Sequence, residues 1–142
     1  MSLAPASSGH SLPEKGPIPW SALVVALVTA AVHIGLDAFY RPWAWANEIS
    51  DFGVANSFTN LTAVIGLSAV MVLWERRRLW VDPWQSWLVV VAPIVAMVAY
   101  EFLQLFLPMG TFSATDLIYS LVGGLAVVPI KRRVYNPSMT RL

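Results

Sequence analysis

The chain contains no cysteine among its 142 residues. That excludes disulfides, a thiolate nucleophile and thiolate metal sites, and it removes the usual redox clue to compartment. Charge is scarce as well. Asp, Glu, Lys and Arg make up 12% of the residues, where a soluble domain carries about 25%, so the charge is too thin for a water-facing surface. Histidine occurs twice, and only His33 falls in an apolar segment, which leaves little basis for a metal centre. Strand-like alternation is missing, and so are a nucleophile elbow, a His-Glu-x-x-His pair and a phosphate-binding glycine loop.

What the chain does have is hydrocarbon. Hydrophobic residues reach 57% and the mean hydropathy is +0.63. Four apolar segments follow one another, at residues 20–40, 52–74, 84–107 and 114–130. About 20 apolar residues in a helix cross the ~30 Å hydrocarbon layer. Unpaired strand edges cannot face lipid, so helices are the expected form. The fold class is therefore an all-α integral membrane four-helix bundle. It is flanked by a Pro/Ser/Gly-rich tail at 1–19, expected to be disordered, and a basic tail at 131–142. The first segment is too long and too polar for a cleaved signal peptide and is expected to be retained.

Charge placement predicts topology. Lys15 precedes the first segment, Arg76, Arg77 and Arg78 lie between the second and third, and Lys131, Arg132, Arg133 and Arg141 follow the fourth. The other two connections contain only Arg41. Cytoplasmic loops collect Lys and Arg, so both termini and the middle loop are expected in the cytoplasm of a bacterium, with the chain in its inner membrane. Tryptophans gather at both boundaries, Trp20, Trp74, Trp80, Trp84 and Trp87 on the inner side and Trp43 and Trp45 on the outer, as interfacial anchors do.

On that topology the polar residues inside the segments share one leaflet. His33 and Asp37 lie near the outward end of the first helix, Asn56 and Asn60 near the outward start of the second, Glu101 and Gln104 in the outward half of the third, and Asp116 and Ser120 at the start of the fourth. The inner halves carry nothing ionisable. A charge near the bilayer centre costs roughly 2.5–3.5 kcal/mol even on insertion scales and normally faces a bundle interior. A polar cavity between the helices, open outward, is the expectation. Blander roles are also open. Ser113 and Asp116 fit a capping box, His33 and Asp37 an intrahelical pair, and Asn56 and Asn60 interhelical hydrogen bonding. Glu101 is expected to bond Gln104 or Asn60.

The stretch from Glu101 to Gly124 resembles the VanZ-like family, small multi-helix membrane proteins related to one linked to teicoplanin resistance. The resemblance rests on Glu101, Gln104 three residues on, Pro108 in the turn, Asp116 and Gly123. It departs where the family's turn Arg is replaced by Gly110 and Thr111, where Ser120 stands for Asn, and where Asp51 is followed by Phe52 instead of Lys. The resemblance implies a function at the cell envelope. The reading is an outward polar site for an envelope component (a lipid headgroup, a wall precursor or a glycopeptide-type drug) centred on Glu101, Gln104 and Asp116, with His33, Asp37 and Asn60 in support. Membrane lipids are expected neighbours. No cofactor, metal or nucleic acid is expected. The alternatives are an accessory subunit of a larger membrane complex and an enzyme acting on a lipid headgroup with Glu101 or His33 as base.

Overall fold

A computed structural model describes residues 19–74, 83–107 and 112–132. The first 18 residues, the arginine cluster at 76–78, the turn at 108–111 and the segment after Arg132 lie outside the described residues, and with them the expected tails and most of the basic topology signal. The described chain is helical: α1 over Trp20–Gly35, a π-helical turn over Leu36–Tyr40, α2 over Arg41–Ala46, α3 over Val54–Trp74, α4 over Pro83–Gln104 and α5 over Ala114–Ile130. Three stretches, Trp20–Ala46, Val54–Trp74 and Trp87–Gln104, are long and apolar enough to cross a membrane, and Ala114–Ile130 is a shorter apolar helix. The protein is an all-helical, multi-pass membrane protein.

The first helix does not end at Tyr40. It runs on through α2 to Ala46. Proline at position 42 offers no N–H, and its ring clashes with the carbonyl four residues back, so an ordinary α-helix would break there. The chain widens by one π turn instead, in which the Arg41 amide donates to the Leu36 carbonyl. Such a bulge absorbs the proline while the axis continues. The result places Arg41 and Trp45 on a helix rather than in a loop.

The helix α3 is the hub. It packs against α1, α4 and α5, and α4 also packs against α5, whereas α1 packs broadly on α3 alone among the long helices. Close approach of α3 and α5 is made at Gly123, where an added Cβ would lie 2.9 Å from the Leu61 carbonyl oxygen. At one end of the bundle Ala22, Val64, Ala69, Val72, Val89, Val90 and Val127 form a dry core. The start of α1, the end of α3, the start of α4 and the end of α5 therefore meet there. The Lys131 ammonium lies 4.6 Å from the centre of the Trp87 ring near the same end. Large apolar side chains cover the outside, among them Val24, Leu27, Val28, Val95, Leu121 and Leu125, all more than 45% exposed, as a lipid-facing shell requires.

The connection at 47–53 is held by Asp51. Its carboxylate accepts from the Ala55 amide at 2.7 Å, the Gly53 amide at 3.1 Å and the Tyr40 hydroxyl at 3.0 Å. Phe52 and Gly53, the two residues that follow Asp51 and form the turn, adopt positive φ, 56° and 86°. Partial burial opposes ionisation of Asp51, but the bonds from Ala55, Tyr40 and Gly53 outweigh it and hold the carboxyl below its usual range. A lowered folded-state pKa stabilises above the unfolded value, near 4, and that contribution is lost as pH falls through the folded value. Amide exchange at Ala55, corrected for its intrinsic rate, is expected to accelerate as pH drops from about 5 towards 2. In Asp51→Ala it should be fast throughout.

Candidate functional site

The end opposite the dry core is hollow. A cavity of about 720 Å³ lies there, lined by His33, Asp37, Asn60, Glu101, Gln104 and Asp116 together with Arg41, Trp45, Asn56, Thr59, Ala63, Met97, Tyr100 and Ser113. All six residues singled out from the sequence share it, and every long helix contributes. The cavity bridges α1 and α4, which do not pack broadly together.

Glu101 is the most enclosed polar residue of the site, 1% exposed. It stands on α4 one turn before the helix ends, and α3 presents Asn60 to it. Asn60 Nδ2 donates to Glu101 Oε1 at 3.2 Å, and Gln104 Nε2 donates to the same oxygen at 3.3 Å. Both partners expected from the sequence are therefore present. The second oxygen, Oε2, is buried without a hydrogen-bond partner among the described residues. The Ser113 amide and the Asp116 carboxyl both lie near enough to act on Glu101, but neither reaches Oε2 in hydrogen-bonding geometry. An unbonded buried acceptor costs about 1–3 kcal/mol, and Oε2 is such an acceptor on a residue that lines the cavity.

Asp116 differs from expectation. Ser113 does occupy the N-cap of α5, with extended φ and ψ of −132° and 121°, but its side chain makes no cap bond. The Asp116 amide is taken by the Ser113 carbonyl at 3.2 Å instead. The capping box is not formed, and Asp116 Oδ1 is a second buried oxygen without a partner. Ser120 turns inward and donates to the Asp116 carbonyl at 2.8 Å, so its hydroxyl is spent on its own helix.

The expected His33–Asp37 pair is also replaced. His33 Nδ1 lies 3.0 Å from Thr62 Oγ1 on α3. The Thr62 hydroxyl already donates to the Thr59 carbonyl at 2.9 Å, so it accepts from His33. In the neutral ring that places the proton on Nδ1 and leaves Nε2 an acceptor. Asp37 instead binds the Arg41 guanidinium one turn later. The π turn between α1 and α2 brings that cation into reach of α3.

Arg41 is the residue that sequence reasoning missed. Besides Asp37, it donates from Nε to the Ala55 carbonyl at 2.8 Å and from Nη2 to the Asn56 carbonyl at 3.2 Å and Thr59 Oγ1 at 3.3 Å. Its guanidinium carbon also lies 5.9 Å from the Trp45 ring centre. Trp45 Nε1 donates to Asn56 Oδ1 at 3.0 Å, and Trp45 helps wall the cavity. The signal for Arg41 was the i, i+4, i+8 series His33, Asp37, Arg41, legible only if the helix continues through Pro42.

Chemically the site is rich in acceptors. Three carboxyl groups, Asp37, Glu101 and Asp116, face one guanidinium, and that guanidinium is already engaged. Among the described residues no three His, Asp or Glu side chains group closely enough to hold a metal ion, and no serine or threonine in the cavity wall is paired with His33 as a nucleophile with its base. No family model, curated protein or solved structure matches the chain.

Proposed function

We propose that this is a VanZ-like protein of the bacterial inner membrane, with both termini cytoplasmic and a polar site facing outward that binds a cell-envelope component. The observation that carries the reading is the convergence of Glu101, Gln104, Asn60, Asp116, His33 and Asp37 on one cavity, with a buried carboxylate oxygen left open. Structural hydrogen bonding alone would close such oxygens, and an intramembrane acid that stays open is by default a site for something else. The orientation rests on the basic residues near the dry end and on their absence from the cavity end, apart from Arg41.

Two measurements test it. The purified full chain is expected to melt several degrees higher with one of three additions: total envelope lipid, a polyprenyl-linked wall precursor or a teicoplanin-type lipoglycopeptide. Ligand at about 100 times its Kd contributes about 2.7 kcal/mol. Glu101→Gln is expected to insert normally and show no such rise. Equal shifts in both proteins, or none with any addition, would remove the site. The absence of native cysteine makes the orientation directly testable. Glu48→Cys should react with a membrane-impermeant maleimide on intact spheroplasts, and Arg78→Cys only after permeabilisation; the reverse pattern overturns the topology.

A further inference from the structure

A second, apolar hollow adjoins the cavity. It has a volume of about 370 Å³ and lies along α1 and α3, from Ala26 and Val70 up to His33 and Ala63. His33 and Ala63 line both hollows, so the two meet at these residues. The groove is deep because its walls are small: Ala26, Ala30, Ala63 and Gly66. Its one lining hydroxyl on α1 is silenced, since Thr29 Oγ1 donates to the carbonyls of Val25 and Ala26 at 2.7 and 3.1 Å. Seven residues separate Ala26 from His33 and Ala63 from Val70, so the groove runs about 10 Å along the helices, away from the polar cavity and towards the dry end.

A polar chamber joined to an apolar groove has the shape of an amphiphile. The chamber also specifies the headgroup. Glu101 Oε2 and Asp116 Oδ1 are buried acceptors without a hydrogen-bond partner among the described residues. Arg41, the only Lys or Arg lining the chamber among the described residues, has its nitrogens bonded to Asp37, Ala55, Asn56 and Thr59. Such a site offers a phosphate no uncommitted cation among the described residues, and its unsatisfied carboxyl oxygens call for a cation that can donate several hydrogen bonds. We infer that the joined hollows bind a single membrane lipid with a primary-amine headgroup, the ammonium on Glu101 and Asp116 and one hydrocarbon chain in the groove between α1 and α3. The lipid enters sideways, between α1 and α4. This rests on the ligand-binding reading above and narrows it to one class.

The test uses the full chain in detergent, with native mass spectrometry of complexes formed with phosphatidylethanolamine, phosphatidylcholine and phosphatidylglycerol of identical chains. The first offers a cation with N–H donors, the second a cation without them, and the third hydroxyl donors without a cation. Phosphatidylethanolamine is expected to be retained roughly tenfold over both, since a hydrogen bond to a charged group is worth at least that ratio. The preference should vanish in Glu101→Gln and shrink in Asp116→Asn, with helix content and elution volume confirming that each variant is folded. Ala30→Phe fills the groove and should weaken all three lipids without altering their ratio, and free ethanolamine should not compete. Equal retention of the first two lipids, a preference for phosphatidylglycerol, or an unchanged preference in both folded carboxyl variants overturns the inference. If a wall precursor or lipoglycopeptide then stabilises the protein through Glu101, the broader reading survives it; if nothing does, both fall.

Discussion

Replacing Gly123 with leucine is expected to separate α5 from α3 and to leave the protein unable to hold its bundle. The reason is what a side chain would meet. A Cβ at position 123 falls 2.9 Å from the Leu61 carbonyl oxygen, 3.1 Å from Val64 Cβ and 3.2 Å from Leu61 Cα. Two of these atoms are helix backbone, which cannot swing aside as a side-chain tip does. Alanine alone should cost about 1–3 kcal/mol, the usual range for overpacking, and leucine more. The neighbouring Gly124 is a useful contrast. Its Cβ would meet Ile94 Cδ1 and Cγ1, the movable end of a side chain, so Gly124→Ala should be milder than Gly123→Ala. Gly35 has nothing within 4 Å, so Gly35→Ala should be neutral or slightly stabilising. Unfolding in mixed micelles, followed by helix content, ranks the three. Equal midpoints for Gly123→Ala and Gly35→Ala would show that the α3–α5 contact is looser than drawn.

Arg41→Ala is expected to be the most damaging change at the cavity rim. One side chain ties the π turn to the first turns of α3 through two backbone carbonyls, a threonine and Asp37. Asp37 is about half exposed and the pair is partly open to solvent, so the ion pair itself is worth little. The Ala55 and Thr59 partners are more enclosed. Taking one charged hydrogen bond as the net loss gives about 1.5–3 kcal/mol. Lysine should recover only part of it, because a point charge cannot fork across several acceptors. A second, independent consequence is that Trp45 loses the cation beneath it, so quenching of its emission by a water-soluble quencher should rise. Stability and quenching both unchanged in Arg41→Ala would show that the network does not hold the rim.

The four apolar segments and the gathering of their polar residues at one end of the bundle are legible in the sequence, because a lipid solvent leaves hydropathy and helix length few ways to be satisfied. Seven of the eight boundaries of the four apolar segments fall within about three residues of expectation, the exception being the end of the first at Ala46. The site was readable for the same reason: four i,i+3 or i,i+4 polar pairs at one depth have to meet inside the bundle. Misreadings arose where a local rule competed with a tertiary partner. The first segment was expected to end at residue 40, and the π turn carries the helix past Pro42 to Ala46. His33 and Asp37 read as partners, but Thr62 and Arg41 take them. Ser113 and Asp116 have the capping-box spacing, yet the Ser113 carbonyl satisfies the amide that its hydroxyl was expected to reach. In the last two cases the pattern located the residues correctly and assigned the wrong bond, since spacing along a chain does not show which of several acceptors a group will take.

The attachment of α1 to α3 alone has a consequence for synthesis. The chain leaves the ribosome in the order α1, α3, α4, α5, so the pair α1–α3 is complete while the translocation channel still holds the rest. Asn60 is then already at its depth, with no carboxylate to serve. Glu101 enters the bilayer next and finds its amide donor waiting, and Asp116 arrives last, as α5 seats Gly123 against Leu61. The costliest side chain is thus inserted only after a partner for it has been laid down, and the chamber takes its final shape when the last helix docks.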